Sequence, residues 1–143
     1  MLRCAYMLTS IHMQNILRAF KALSNETRLR IMNLLLEREC SVCEVVQAMI
    51  VSQTRASRGL ATLHDAGLLK ARREGLWVFY SMDEEGVGKS YGCLTQLIRS
   101  ALEGNKLATL DRERLKMAVR ESPCIEVFRS LSARNGPILS NNE

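Results

Sequence analysis

Apolar residues in the first half of the chain recur every three or four positions, the period of helices that bury one face. Ile16, Leu17, Phe20 and Leu23 mark a first helix over 11–23. Leu29, Met32, Leu35 and Leu36 mark a second over 26–37, and Ser24-Asn25 between them offers a cap. Arg28 and Arg30 fall on positions that can remain in water. A third, short helix is expected within 39–49. Ser41 and Glu44 have the spacing of a capping box, which sets Cys40 just before the cap and Cys43 in the first turn. A fourth helix starts at Ser52, runs to about Ala66 and is closed by Gly67. Ala56, Leu60 and Leu63 share its apolar face, while Gln53, Arg55, Ser57 and Arg58 share the opposite one.

The period then shortens. Leu68 to Arg73 and Leu76 to Met82 are β-prone runs about Glu74-Gly75, predicting a hairpin with Arg72-Arg73-Glu74-Gly75 at its tip. Past Gly88, Tyr91, Leu94, Leu97, Ile98 and Leu102 restore the helical stripe. A Gly104-Asn105 break leads to an amphipathic stretch over 111–120. Ser122-Pro123 opens a last short helix, Asn135-Gly136 ends it, and the tail to Glu143 reads as unstructured. The expected architecture is mainly α with a small β-hairpin wing, a winged helix-turn-helix with further helices on its C-terminal side. It divides into a domain over 11–103 and a helical extension with a flexible tail over 104–143.

Composition narrows the class. The 143 residues are 47% hydrophobic but only 5% aromatic, which favours helices packed on helices over a β-sandwich. Twenty Lys and Arg against fifteen Asp and Glu leave a net charge of +5, a balance that suits a polyanionic partner without requiring one. No stretch approaches the ~20 consecutive apolar residues of a membrane span. The N-terminus carries one Arg and no small-residue cleavage site, so a cytoplasmic protein is expected. There, five cysteines serve more often as ligands, redox groups or core fillers than as disulfides.

Several motifs occur in one order between Ile16 and Asp83. They are Ala22-Leu23-Ser24-Asn25-Glu26-Thr27-Arg28-Leu29-Arg30-Ile31, then Ser52-Gln53 with Ser57-Arg58 and Leu60-x-x-Leu63. Gly67-Leu68-Leu69 leading into Arg72-Arg73-Glu74-Gly75-Leu76-Trp77-Val78-Phe79-Tyr80 is the most specific. Together they resemble the ArsR/SmtB repressors of the arsenical-resistance type. The resemblance implies a homodimeric transcriptional repressor on double-stranded operator DNA with an inverted repeat, not an enzyme, and with no cofactor required for DNA binding; 11–103 is then the DNA-binding and dimerisation domain, with the helical dimerisation region after Gly88.

The residues support this on their own terms. A helix with a polar, Arg-bearing N-terminal half can enter the major groove. Gln53, Arg55 and Arg58 are the base-reading candidates, and Ser52, Thr54 and Ser57 suit phosphates. Arg72 and Arg73, with Lys70 beside them, are expected on the flanking backbone or minor groove. Gly59 stands where the family often has His, which costs roughly 1 kcal/mol of helix stability against Ala and removes a contact.

Members of this family differ in where the inducer binds. Many arsenic-responsive ones carry Cys-Val-Cys-Asp at the start of the third helix, where this chain has Cys40-Ser41-Val42-Cys43-Glu44. Cys43 and Glu44 fall on the pattern, Ser41 replaces the first cysteine and Cys40 lies one residue early. The resemblance implies As(III), Sb(III) or another thiophilic ion as inducer at Cys40 and Cys43. Trivalent arsenic or antimony wants three sulfurs, and Cys93, Cys124 and Cys4 are the candidates for the third. Cys4 belongs to the protein only when it starts at Met1 rather than Met7 or Met13. Other readings stay open: a persulfide- or oxidant-sensing repressor of the same fold, or a capping box with no ligand and Cys40 as an apolar staple. A thiol oxidoreductase ranks below these, because the strands that should precede a redox Cys-x-x-Cys are missing. A plain protein-interaction module ranks low because of the basic wing. A structural zinc site lacks ligands, with one Cys-x-x-Cys pair and isolated His12 and His64.

Overall fold

Four short polar side chains start four of the helices of the computed structural model, which describes residues 2–84 and 88–120, the side chains of 2–12 and 88–92 excepted. Among these residues the order is α1 (Leu2–Leu23), α2 (Glu26–Leu35), β1 (Cys40–Ser41), α3 (Val42–Met49), α4 (Gln53–Asp65), β2 (Leu69–Glu74), β3 (Trp77–Met82), α5 (Gly88–Leu102) and α6 (Lys106–Met117). The Asn25 side chain accepts from the Arg28 N–H at 3.1 Å, and Ser52 accepts from the Arg55 N–H at 3.2 Å. Asn105 caps α6 in the same way through the Ala108 N–H. The Ser41–Glu44 capping box is closed in both directions, and the Ser41 N–H donates to Glu44 Oε2 at 2.7 Å. Each such cap contributes about 1 kcal/mol by satisfying N–H groups that the helix cannot.

Helices α2, α3 and α4 meet through Ile31, Met32 and Leu34, Val45 and Ala48, and Leu60 and Leu63, all buried. Burying each large side chain stabilises the fold by about 1.5–3 kcal/mol. Between α3 and α4 the chain turns at Ile50, whose φ of 51° is left-handed although its side chain is branched and exposed. Such a backbone persists only where the flanking helices impose it.

The strands form an antiparallel sheet in the order β1-β3-β2. Its hairpin differs from the expected one. Pairing continues to Glu74↔Trp77, so the turn is Gly75-Leu76, with Gly75 at φ 60°. A glycine in the first position of a two-residue turn matches the twist of the strands. Arg72 and Arg73 therefore lie in β2, not at the tip. Strand β1 was not expected at all. It places Cys40 beside Tyr80 and Ser41 beside Phe79, tying the start of α3 to the wing.

Helix α6 starts at Lys106, earlier than the expected 111, and packs across α2 and α3. Fully buried Asp111 receives Arg30 at two points, 2.7 and 2.8 Å, and Arg30 also donates to the Met49 carbonyl. Arg30 is thus a part-buried ion-pair partner rather than a solvated charge. Removing either member would strand a charge in the interior, at about 3–5 kcal/mol. Asn33 donates to the Ala108 carbonyl and accepts from Arg112. Just past α6, the Gln47 amide pairs with both backbone groups of Val119. The expected last helix near 122–135 lies outside the described residues.

Candidate DNA-binding face and thiol cap

The exposed side of α4 follows from its own stripe. Ala56, Gly59, Leu60 and Leu63 are buried against α2 and α3, so Thr54, Arg55, Ser57 and Arg58 turn to water, and Gln53 is half-exposed. Among the described residues, the side chains of Gln53, Arg55 and Arg58 make no hydrogen bond or ion pair. Gln53, Thr54, Ser57 and Arg58 line one open groove. A second groove, about 380 Å³, brings Ser52, Arg55 and Arg58 opposite Asn25, Thr27 and Arg28. All the α4 residues expected to meet DNA therefore share one surface.

The start of α2 was not expected there. Arg28 is fixed by donating to the carbonyls of Ala22 and Lys21, which presents its guanidinium at the junction of α1, α2 and α4. Adjoining N-termini and three guanidiniums favour an anion. The sequence signal was the pair of N-caps, Asn25 and Ser52, whose proximity depends on residue 59. A Cβ built at Gly59 would lie 2.6 Å from Ile31 Cδ1. The glycine faces α2, not a DNA groove, so its expected effect on DNA contact is replaced by one on packing.

On the wing, Arg73 makes no ion pair among the described residues, whereas Lys70 lies 3.5 Å from Asp83. Arg72 is held by Glu39 and Glu74 and stacks over the Phe79 ring, 4.7 Å from its centre. Arg120 stacks on the same ring at 4.8 Å and donates to Glu44. Burial works against ionising Glu44. The Ser41 N–H and the guanidiniums of Arg38 and Arg120 outweigh it and hold the carboxyl below its usual range.

The cysteines do not share one environment. Cys40 is fully buried, donates to the Arg38 carbonyl at 3.3 Å and has its pKa pushed up to about 12 by burial. Cys43 is buried in the first turn of α3 and is disulfide-bonded. Cys93 is an exposed free thiol on α5. Cys4 and Cys124 lie outside the residues whose side chains are described. Among the described residues no three His, Cys, Asp or Glu side chains cluster as a metal site, and no helix is long and apolar enough to cross a membrane.

A family model for bacterial regulatory proteins of the arsR family matches residues 25–71. Those residues hold α2, α3, α4 and the start of the wing. The chain is 46% identical over 79 residues to an arsenic resistance transcriptional regulator of Pseudomonas putida, covering 52% of this chain and 61% of that one. It spans less than two thirds of the length of the first curated relatives it matches. Reduced HlyU from Vibrio cholerae has a similar structure, with a TM-score of 0.55 and 30% identity over 65% of this chain and 94% of that one. The homodimeric winged helix-turn-helix DNA-binding domain of a possible ArsR-family regulator from Mycobacterium bovis gives 0.56 and 31%, over 68% and 91%.

Proposed function

Because the chain belongs to the ArsR family of bacterial regulatory proteins, we propose that it is a homodimeric DNA-binding repressor released from its operator by a thiophilic signal arriving at α3. The observation that carries the first part is the unpaired Gln53–Arg55–Arg58 face of α4. Arginine can fork onto guanine and glutamine onto adenine, whereas Ser52, Thr54 and Ser57 suit phosphates that set register. Lys70 and Arg73 extend the contact along the flanking backbone, and Thr27 and Arg28 add an anion seat behind α4. A dimer holds two such helices about 34 Å apart over an inverted repeat in double-stranded DNA, and needs no cofactor to do so. The protein then works in the cytoplasm, beside the DNA.

For the signal, Cys43 is the anchor. Its disulfide must first be reduced by a dithiol or by cellular thiols; the N–H groups and dipole of the first helical turn then favour its thiolate, and soft ions such as As(III) and Sb(III) favour thiolates. Cys40 fits this role poorly where it stands, because burial keeps its thiol protonated. A three-sulfur site needs Cys40 to leave the Arg38 carbonyl, or sulfurs from Cys93, Cys124 or Cys4. A second reading, persulfide or oxidant sensing, is favoured by the disulfide at Cys43.

The test is release of a labelled duplex, obtained by selection from random sequences, on titration with arsenite, antimonite, cadmium, zinc, peroxide or a persulfide donor. Release by arsenite or antimonite that is lost in Cys43→Ser supports the thiophilic-ion reading. Undiminished arsenite release from the Cys40→Ser/Cys43→Ser double variant overturns the site. Release by peroxide or persulfide alone assigns the second reading.

A further inference from the structure

The basic side chains of β2 are not equally available. Arg73 makes no ion pair among the described residues. Arg72 already has an acceptor on each nitrogen: Nη2 meets Glu39 Oε1 at 2.7 Å, Nε lies 3.4 Å from Glu39 Oε2, and Nη1 meets Glu74 Oε2 at 2.6 Å. A guanidinium gripped by two oxygens of one carboxylate is in the geometry with which it would grip a phosphate. Glu39 therefore occupies the donors that a wing arginine needs for DNA. Its carboxyl is held below the usual range, chiefly by the Arg72 hydrogen bonds, so it stays charged near neutrality.

The position of Glu39 is what makes the pairing more than a surface ion pair. It directly precedes β1, whose two residues pair with Tyr80 and Phe79 of β3. Phe79 is also the register partner of Arg72 and carries its guanidinium. Ser41, Phe79 and Arg72 thus form one row across the sheet, and Ser41 caps the helix that carries Cys43. On the far side of that cap, Glu44 binds Arg120, whose guanidinium rests on Phe79 as well.

We propose that Glu39 competes with DNA phosphate for Arg72, making it a brake on the wing that is tied through β1 to the thiol-bearing cap of α3. The proposal rests on the DNA-binding reading above. Exposed ion pairs are weak, so phosphate can displace Glu39 on binding, and the displacement lowers affinity by a measurable factor. Any change at the cap that moves β1 along β3 alters the grip on Arg72.

The experiment measures affinity and its salt dependence by fluorescence anisotropy for the wild type, Glu39→Gln, Arg72→Ala and the double variant, on random-sequence duplex of about 30 base pairs. Thermal melting checks that each variant is folded; Glu39 lies at the surface of the sheet, so its neutral isostere leaves the core intact. Glu39→Gln is expected to tighten binding about three- to fivefold per wing, or about tenfold or more for a dimer, with Arg72 meeting phosphate in both proteins and the log–log salt slope therefore nearly unchanged. In the Arg72→Ala background the same change should gain almost nothing. An unchanged or weakened Glu39→Gln overturns the proposal. So does an equal gain with and without Arg72, which would mark a general effect of net charge. Failure of the wild type to bind any duplex would instead overturn the DNA-binding reading, and this proposal with it.

Discussion

Gly59 shows how one missing carbon can set the distance between two functional elements. Position 59 falls on the buried stripe of α4 with Ala56, Leu60 and Leu63, and Ile31 of α2 fills the space that a side chain would take. Alanine there adds about 1 kcal/mol of helix propensity but forces its Cβ onto Ile31 Cδ1, and overpacking costs about 1–3 kcal/mol. Gly59→Ala is therefore expected to destabilise the protein by about 1 kcal/mol. Ile31→Val removes the offending methyl, and in that background Gly59→Ala should stabilise by about 1 kcal/mol instead. Urea unfolding of the four proteins measures the coupling. The same sign in both backgrounds would mean that residue 59 does not meet Ile31. The sequence carried the signal for this, since 56, 59, 60 and 63 have core spacing. A glycine shows no hydrophobicity, however, and was read only as a gap in the DNA face.

Among the elements, α3 is the one whose start is most heavily constrained. Glu44 is buried, accepts the Ser41 N–H and binds Arg38 at 2.6 Å and Arg120 at 3.1 Å. Its folded-state pKa lies below the reference value of 4.5. A depressed carboxylate contributes stability that is complete above its unfolded pKa and is lost as pH falls through the folded one. Glu44→Gln keeps the side chain's shape but loses the charge and one of the two acceptor oxygens, since Oε2 takes the Ser41 N–H and Oε1 takes Arg38 and Arg120. Wild type should therefore be the more stable near neutrality, with the difference closing below about pH 4. Urea unfolding at constant ionic strength tests this, and an equal difference at about pH 7 and pH 3 would sink it. The capping box itself was legible because its two residues are local, and so were the apolar stripes of α2 and α4. What escaped were pairings between distant residues: β1 against β3, Arg30 with Asp111, and Arg120 with Glu44. Two-residue strands have no period, and a lone Asp or Arg on an amphipathic helix looks the same whether it meets water or a partner. The DNA-facing residues of α4 were legible because the polar side follows once the stripe is known. The availability of the wing arginines was not, since it depends on Glu39, more than thirty residues upstream of Arg72.

At the scale of the whole molecule, the described residues leave large apolar side chains of α1 and α5 exposed, and the proposed dimer gives them a use. Met13, Leu17 and Phe20 repeat at helical spacing along α1 and are 59%, 43% and 58% exposed, and Leu97 of α5 is 63% exposed. A two-fold interface uses the same patch on both subunits, so each substitution counts twice. Burying a side chain of this size is worth about 1.5–3 kcal/mol, and Phe20→Glu should raise the dimer dissociation constant at least about a hundredfold. The protomer should still fold, because Phe20 lies outside the core that joins α2, α3 and α4. Sedimentation gives the mass, and melting gives the fold. The DNA consequence separates a reading head that acts alone from one that acts in pairs. A dimer neutralises phosphates at two half-sites, and the salt slope scales with their number. Monomeric Phe20→Glu should bind with about half the wild-type slope and lose its preference for an inverted repeat over a single half-site. Full affinity and full slope in a monomer would mean that α4 and its wing need no second copy. A variant that remained dimeric would place the interface elsewhere on the protein.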